Sequence, residues 1–168
     1  MKNYFLFVAC IFFLAISLPT FAQKKLPTVE ISTLGGEKIL ASELHNPDGA
    51  IIISFWATWC KPCMQELNAI SELYTEWQKE TNVKLIAISI DDARSAGRVP
   101  TMVKGKGWKF DVYIDTNQDL MRSLQVLNIP HTFILNSAGE IIYQHTSYKV
   151  GDEEEYFDII QKLKVEKK

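Results

Sequence analysis

The stretch FWATWCKPCMQE, residues 55–66, carries two cysteines separated by two residues and directly follows an apolar run. That run, residues 50–56, has the length and composition of a strand that is buried on both faces, as in a parallel sheet. A helical pattern begins around Cys60 and continues to about Thr81. Pro62 falls in its first turn, where a missing amide hydrogen costs no helical bond. The stretch therefore predicts a buried strand, a short loop and a helix that begins at the cysteines.

The two cysteines occupy different positions on this helix. Cys60 lies at its predicted start, where unpaired N–H groups and the positive end of the helix dipole favour an anion. Lys61 adds a neighbouring cation, and both effects lower a thiol pKa and favour the thiolate that attacks disulfides. We predict Cys60 as the nucleophile and Cys63, one turn further on, as the cysteine that resolves a mixed disulfide. Lys61 and Pro62 are predicted to tune the thiol pKa. Trp59, next to the nucleophile, is predicted to belong to the docking surface.

Glu66 is the third candidate for chemistry. At 100° per residue it falls on the apolar stripe of the helix that also carries Cys63 and Leu67. Desolvation on such a stripe raises a carboxyl pKa, which suits a base that exchanges a proton with the neighbouring Cys63 thiol. The structural alternative is a glutamate at the edge of the stripe whose carboxylate extends into water.

Bulk properties limit the class of protein. A chain of 168 residues is long enough for one well-buried domain. Its 18 basic and 20 acidic residues nearly cancel, so no basic excess points to nucleic acid. We therefore expect no nucleic-acid partner.

The N-terminus has the pattern of an export signal. Lys2 precedes an uncharged run over residues 4–18, and the small residues Thr20 and Ala22 predict cleavage after Ala22. The run is shorter than the roughly 20 apolar residues of a membrane span. An uncleaved N-terminal anchor is the alternative to cleavage.

Export defines the predicted domain organisation and location. We predict a signal peptide at 1–22, a linker at 23–27 and a single domain at 28–168, in the periplasm or cell envelope. Cleavage removes Cys10 and leaves one cysteine pair in an oxidising compartment. A disulfide across so short a gap restricts the unfolded chain little, so a purely structural staple is a weak interpretation.

The rest of the pattern alternates strands with helices, which predicts an α/β sheet that ends in an antiparallel hairpin. Further strands are predicted at 28–32, 37–40, 83–90, 111–114, 132–135 and 140–145. Further helices are predicted at 93–106, at 118–126 and from Asp152, as N-cap, to about Leu163.

The stretch at 55–66, followed by NIPHTFIL at 128–135 and a closing hairpin and helix, resembles the TlpA/ResA-like thioredoxin family. The resemblance covers nearly the whole chain from Leu26 onward. It implies a thioredoxin-like α/β fold, a central mixed sheet flanked by helices, with an N-terminal β-hairpin and a helix–strand insertion at about 91–115. It also implies a thiol–disulfide oxidoreductase that acts on protein disulfides or thiols and is re-reduced by a membrane electron donor. The redox-active disulfide of Cys60 and Cys63 would be its only cofactor.

The resemblance assigns roles to further residues. Pro130 is implied to be a cis-proline packed against the disulfide, and the backbone of Ile129 is implied to pair with bound substrate. Glu66 matches the acid/base carboxylate of ResA-like members. Two positions depart from the pattern. Ser54 stands where thioredoxins carry an aspartate, so Glu66 is expected to serve alone. His131, also predicted to contact substrate, stands where threonine is common, and a histidine there would stabilise the nucleophilic thiolate.

A reductase of protein disulfides is the favoured interpretation, with a DsbA-like oxidant as the alternative, and the physiological substrate stays open. Pro62 and Glu66 resemble reducing members and favour a reductase, whereas Lys61 and His131 favour a DsbA-like oxidant of protein thiols. Apocytochrome maturation, envelope protein repair and protection from oxidative stress all fit a reductase.

Other chemistries are weaker. A copper or zinc handler would use Cys60, Cys63 and His131 as ligands, although we expect no metal in the favoured interpretation. Covalent haem attachment needs C-x-x-C-H, and Met64 occupies the place of the histidine. Phe55 and Trp56 are predicted to be core residues, and His45 and His145 are predicted to be solvated.

Overall fold

A computed structural model describes residues 24–166, which form one seven-stranded sheet with four α-helices and two short 3-10 helices. The strands are β1 (Glu30–Thr33), β2 (Lys38–Leu40), β3 (Ile51–Trp56), β4 (Lys84–Ser89), β5 (Asp111–Ile114), β6 (His131–Leu135) and β7 (Ile141–Thr146). The α-helices are α1 (Lys61–Thr81), α2 (Val99–Lys106), α3 (Asp119–Ser123) and α4 (Asp152–Glu166), and the 3-10 helices span Ala41–Glu43 and Ala96–Arg98. The predicted signal peptide at 1–22 lies outside the described residues.

β3 lies inside the sheet because its side chains need apolar cover on both faces. All six residues of Ile51–Trp56 are buried, and β3 pairs in parallel with β4 and antiparallel with β6. The full strand order is β2-β1-β5-β4-β3-β6-β7. The predicted mixed α/β sheet, with an N-terminal hairpin at one edge and a C-terminal hairpin at the other, is confirmed. β5, from the segment predicted as an insertion, pairs with both β1 and β4.

α1 buries the stripe that the helical periodicity predicts. Its buried residues are Cys63, Glu66, Leu67, Ile70, Tyr74, Trp77 and Thr81. The helix ends at Asn82, which adopts the left-handed conformation with φ of 55°. α4 packs against α1, and the ring of Trp77 stacks on that of Phe157 with centroids 5.0 Å apart. The two helices therefore cover the same face of the sheet.

The helix predicted at 93–106 begins later than predicted. α2 starts at Val99 and is preceded by a turn and a 3-10 helix. In the turn, the carboxylate of Asp92 accepts hydrogen bonds from the backbone N–H groups of Arg94 and Ser95. Because an aspartate side chain that captures nearby amides competes with helix formation, the regular helix begins only after this turn.

The boundaries of the last two helices also differ from the prediction. α3 is shorter than the predicted 118–126, because Gln125 adopts a left-handed conformation with φ of 60°. Asp152 is the first residue of α4 rather than its N-cap. Its carboxylate instead accepts a 2.7 Å hydrogen bond from the backbone N–H of Lys149, which precedes the helix.

The described part of the predicted linker packs on the domain. Lys25 forms an isolated antiparallel bridge with Glu140, and the backbone N–H of Ile141 donates to the carbonyl of Lys24 at 2.8 Å. Leu26 is buried. Residues 24–26 therefore lie against the C-terminal hairpin. Within residues 24–166, no helix combines the length and the hydrophobicity needed to cross a membrane.

Candidate active site

Cys60 and Cys63 form a disulfide at the start of α1, with an S–S distance of 2.01 Å. Cys60 is the N-cap residue, and its Sγ accepts a 3.3 Å hydrogen bond from the backbone N–H of Cys63. In the reduced state a thiolate at this position would receive the same hydrogen bond and the field of the helix N-terminus. Cys60 is 5% exposed and Cys63 is fully buried. The geometry therefore leaves Cys60 as the sulfur that an incoming disulfide can reach.

Lys61 and Pro62 occupy the first turn of α1 and are both exposed. Pro62 stands at a position where the helix needs no amide donor, as predicted. The charge of Lys61 lies in solvent, where salt screens its effect on a neighbouring thiolate. Stabilisation of a Cys60 thiolate by the helix N-terminus is therefore less sensitive to salt than stabilisation by Lys61.

The peptide bond between Ile129 and Pro130 is cis, as the family resemblance implies. Pro130 is buried, and Ile129 is partly buried against the core. His131, the next residue, pairs with Phe55 near the end of β3 that leads into the cysteines. The strand register thus places the cis-proline loop, at the start of β6, beside the C-terminal end of β3, which leads to the start of α1.

Glu66 is a fully buried acidic residue of the site, with no exposed surface. Three hydroxyl groups donate hydrogen bonds to its carboxylate, and they come from three different elements. The donors are Ser54 Oγ of β3 to Oε2 at 2.7 Å, Thr132 Oγ1 of β6 to Oε1 at 2.8 Å, and Tyr156 Oη of α4 to Oε1 at 2.9 Å. The alternative of a glutamate that extends into water is therefore wrong. Ser54, which stands where thioredoxins carry an aspartate, donates a hydrogen bond to this carboxylate, and Glu66 as the acid/base that serves alone stays a prediction.

The environment of Glu66 raises its pKa. Burial is the largest cause and disfavours the charged carboxylate, while the hydrogen bonds from Ser54, Thr132 and Tyr156 lower the pKa by smaller amounts. The raised pKa agrees with the expectation from the helical stripe. A carboxyl group of this kind exchanges a proton closer to neutral pH than an exposed glutamate does.

His131 does not supply the cation that the sequence suggested. Its side chain is 8% exposed, its ring lies 4.5 Å from that of Phe133, and its Nδ1 is 3.0 Å from Thr146 Oγ1. Burial lowers the pKa of His131 and so favours the neutral ring. Because strand side chains alternate, His131 also points to the sheet face opposite Thr132, which contacts Glu66. The lowered pKa therefore argues against His131 as a cation that stabilises the thiolate.

A metal-ligand set that includes His131 is not assembled here. Within residues 24–166, no three His, Cys, Asp or Glu side chains lie in an arrangement suited to a metal ion. The sulfurs of Cys60 and Cys63 are bonded to each other. The geometry therefore gives no support to the copper or zinc alternative.

The aromatic residues near the cysteines divide as predicted. Phe55 and Trp56 have no exposed surface, whereas Trp59 is 65% exposed beside the disulfide. His145, which was predicted to be solvated, is only partly exposed. Its Nε2 lies 3.2 Å from Asp152 Oδ2, and its side chain is 29% exposed.

Asp91 is a site residue that the sequence reasoning missed. It is fully buried at the end of β4 and accepts hydrogen bonds from the backbone N–H of Thr58 at 2.8 Å and from Thr58 Oγ1 at 2.6 Å. Ser89 Oγ donates to the same carboxylate at 2.8 Å. Asp91 therefore anchors the loop that connects β3 to Trp59 and Cys60.

The three hydroxyl donors to Glu66 were also missed. Ser54 and Thr132 are polar residues inside otherwise apolar strands, and a buried hydroxyl needs a hydrogen-bonding partner. That signal was present in the sequence. Tyr156 gave no comparable signal, because a tyrosine on a helix 90 positions from Glu66 is an ordinary core residue until the packing is known.

Comparison with known proteins agrees with the thiol–disulfide chemistry that the site geometry supports. The AhpC/TSA family matches residues 22–144 of the chain. The thiol-disulfide oxidoreductase ResA of Bacillus thuringiensis subsp. konkukian is 34% identical over 122 residues, which cover 72% of this chain and 67% of that protein. The sporulation thiol-disulfide oxidoreductase A of Bacillus subtilis is 29% identical over 125 residues, covering 71% and 73%.

Comparison with solved structures also identifies thioredoxin-like proteins. The solution structure of a thioredoxin-like protein from Porphyromonas gingivalis superposes with a TM-score of 0.76 and 42% identity, covering 84% of this chain and 92% of that one. The crystal structure of StoA from Bacillus subtilis superposes with a TM-score of 0.61 and 25% identity, covering 79% and 99%. Both similarities extend over most of the described domain.

Proposed function

Because the chain belongs to the AhpC/TSA family and is a thiol–disulfide oxidoreductase of the ResA and StoA type, we propose that it reduces protein disulfides outside the cytoplasm after export. The observation that carries the proposal is Glu66, a fully buried carboxyl group one turn beyond Cys63 on the helix that begins at the disulfide. A base in that position forms the Cys63 thiolate that releases reduced substrate, and a carboxylate at this position resembles that of the reducing members of the family.

The first step is attack by the Cys60 thiolate on one sulfur of a substrate disulfide. The Cys60–substrate disulfide forms, the substrate S–S bond breaks, and the other substrate sulfur leaves as a thiolate that takes a proton from solvent. Cys60 at the N-cap supports this step, because the helix N-terminus stabilises its thiolate before attack.

The second step needs a thiolate at Cys63. Glu66 takes the proton from the Cys63 thiol, and Cys63 then attacks Cys60 Sγ. The Cys60–Cys63 disulfide forms, the mixed disulfide breaks, and the second substrate sulfur leaves as a thiolate that takes up a proton, while Glu66 releases the proton of Cys63 before the next cycle. Two electrons have then passed from the enzyme to the substrate, and the enzyme is in the oxidised state that the structure describes.

Substrate docking is assigned to the surface around the disulfide. Trp59 offers an exposed aromatic side chain beside Cys60, and Ile129 offers its backbone next to Pro130. His131 then contributes through packing rather than through charge, because it is buried and its pKa is lowered. A membrane-bound dithiol donor is the proposed source of electrons for the next cycle.

A reducing direction is favoured over a DsbA-like one because His131, one of the two cations that would favour an oxidant, is buried with a lowered pKa. Strong oxidants stabilise the thiolate of the reduced state and so have a high potential, about −120 mV against about −270 mV for thioredoxin. The sequence offered Lys61 and His131 as cations for that purpose. Burial lowers the pKa of His131, and Lys61 is exposed to screening solvent.

The test measures the Cys60–Cys63 potential against glutathione and follows reduction of insulin or of a peptide disulfide. We expect a potential near that of thioredoxin, complete loss of turnover in Cys60→Ser, and stable mixed disulfides in Cys63→Ser. A potential near that of DsbA contradicts the reducing direction, and full activity in Cys60→Ser contradicts the proposed chemistry. The substrates trapped by Cys63→Ser in the cell envelope identify the physiological targets.

A further inference from the structure

Tyr156 contacts Glu66 from a part of the chain far from both cysteines. It lies on α4, has no exposed surface, and its hydroxyl donates to Glu66 Oε1 at 2.9 Å. Its ring makes edge contacts with those of Tyr143 and His145, with centroids 6.2 and 6.1 Å apart. The phenol is therefore held by β7 on one side while its oxygen reaches the carboxylate on α1.

The hydrogen bonds divide unequally between the two oxygens of Glu66. Within residues 24–166, Oε1 accepts from both Thr132 and Tyr156, whereas Oε2 accepts from Ser54 alone. A carboxylate oxygen has two lone pairs in its plane. Thr132 and Tyr156 together occupy those of Oε1, and one lone pair of Oε2 stays available to a proton.

We propose that Tyr156 is a positioning residue of the disulfide exchange: by occupying Oε1 together with Thr132, its hydroxyl orients Glu66 so that Oε2 exchanges the proton of Cys63. This inference rests on the proposed function, because it assigns how the base of the second step is held. Tyr156 itself gives up no proton. Burial, with a further contribution from the neighbouring Glu66 carboxylate, raises the pKa of Tyr156 and keeps its hydroxyl a donor.

The variant Tyr156→Phe removes the hydroxyl and keeps the ring and its aromatic contacts. Since a hydrogen bond to the carboxylate favours the charged form, its loss raises the pKa of Glu66. We expect the acid limb of the pH–rate profile for mixed-disulfide resolution to move up by about one pH unit, and the rate below that limb to fall about tenfold. Tyr113→Phe, which removes a tyrosine hydroxyl from β5, is the matched control and leaves both quantities unchanged.

A double-variant comparison separates positioning from general structural damage. If Tyr156 acts through Glu66, adding Tyr156→Phe to Glu66→Gln slows resolution no further than Glu66→Gln alone. If the double variant is slowed by the product of the two single-variant factors, Tyr156 acts independently of Glu66 and the proposal is overturned. An unmoved acid limb in Tyr156→Phe also overturns it.

A titration that needs no turnover keeps this test independent of the proposed function. The carboxyl ¹³C resonance of Glu66, assigned with Glu66→Gln, is followed against pH in the oxidised wild type and in Tyr156→Phe. Direct observation is needed because other groups act on the same pair: His145 of β7 interacts electrostatically with Glu66, Tyr148 of the loop after β7 also interacts with Glu66, and Asp152 of α4 interacts with Tyr156. We expect the Glu66 midpoint to rise in Tyr156→Phe, and an unchanged midpoint contradicts the assignment. If the wild type reduces no disulfide in any assay while the Glu66 midpoint still rises in Tyr156→Phe, the proposed function is rejected and the contact between Tyr156 and Glu66 is not.

Discussion

Thr132 and Glu66 are 66 positions apart in the chain, and Thr132 Oγ1 donates a 2.8 Å hydrogen bond to Glu66 Oε1. Thr132 is the second residue after the cis-proline Pro130. Ser54, which faces Thr132 across the β3–β6 ladder, holds the other oxygen of the same carboxylate. The strand that positions the cis-proline loop therefore also positions the buried base on the cysteine helix.

The raised pKa of Glu66 predicts that stability depends on pH. Because the folded protein holds the Glu66 proton more tightly than the unfolded chain does, its contribution is fully present below about pH 4.5. That contribution is lost as the pH rises through the folded pKa. We expect urea denaturation of the oxidised wild type to show this loss of unfolding free energy, and Glu66→Gln to lack it. Glu72→Gln, at an exposed position of α1, is the control. The same pH slope in Glu66→Gln and wild type would contradict the prediction.

The same substitution predicts a kinetic effect. Glu66→Gln removes the proton acceptor but keeps a side chain of similar shape, so the fold is retained while resolution of the mixed disulfide slows near neutral pH. The loss expected for a general base is about 10²- to 10⁴-fold. Stopped-flow measurement of the reaction between the reduced enzyme and a peptide disulfide checks this value. An unchanged pH–rate profile removes Glu66 from the mechanism.

Thr58 is predicted to stabilise the loop before the cysteines through Asp91. Thr58→Val removes the hydrogen bond to Asp91 Oδ1 and leaves that buried carboxylate oxygen without its Thr58 donor. We expect a loss of about 1–3 kcal/mol in the free energy of unfolding. Thr101→Val, an exposed position on α2, is expected to change stability by less than about 0.5 kcal/mol. Equal stabilities for the two variants would show that the Asp91 anchor contributes nothing.

His131 is predicted to be neutral at pH 7. Burial lowers its pKa below the ordinary value of 6.5, so an imidazole titration by NMR places its midpoint below 6.5. His131→Gln assigns the resonance. Since the unfolded chain binds this proton more readily, the His131 contribution to stability is present above pH 6.5 and is lost as the pH falls through the folded pKa. A midpoint above 6.5 would restore His131 as a cation near the nucleophile.

Gly49 is predicted to tolerate no side chain. A Cβ at this position would lie 2.5 Å from the carbonyl oxygen of Asn82 and 2.7 Å from that of Thr81, both backbone atoms at the end of α1. We expect Gly49→Ala to destabilise the fold by about 1–3 kcal/mol in urea denaturation. Gly105→Ala, inside α2 with no atom beyond its chain neighbours and its own helix backbone within 4 Å of the added Cβ, is expected to stabilise by about 0.5–1 kcal/mol. Two effects of the same sign would contradict the steric explanation.

Several features of the site followed from local patterns. The buried β3, the start of α1 at the cysteines and the position of Glu66 on its buried stripe all depend on periodicity within about 30 residues. A local competition explains one error, since the Asp92 side chain takes the amides with which the predicted helix at 93–106 would have begun.

Long-range packing determined the rest. The sequence alone was sufficient to predict a cysteine pair at a helix N-terminus with a carboxylate one turn further on, because helix geometry relates residues three positions apart. Only the tertiary structure decided that Ser54, Thr132 and Tyr156 meet at that carboxylate, and that His131 is buried with a lowered pKa. The physical reason is that a hydrogen bond between elements, and the desolvation that shifts a pKa, depend on which surfaces pack together rather than on sequence spacing.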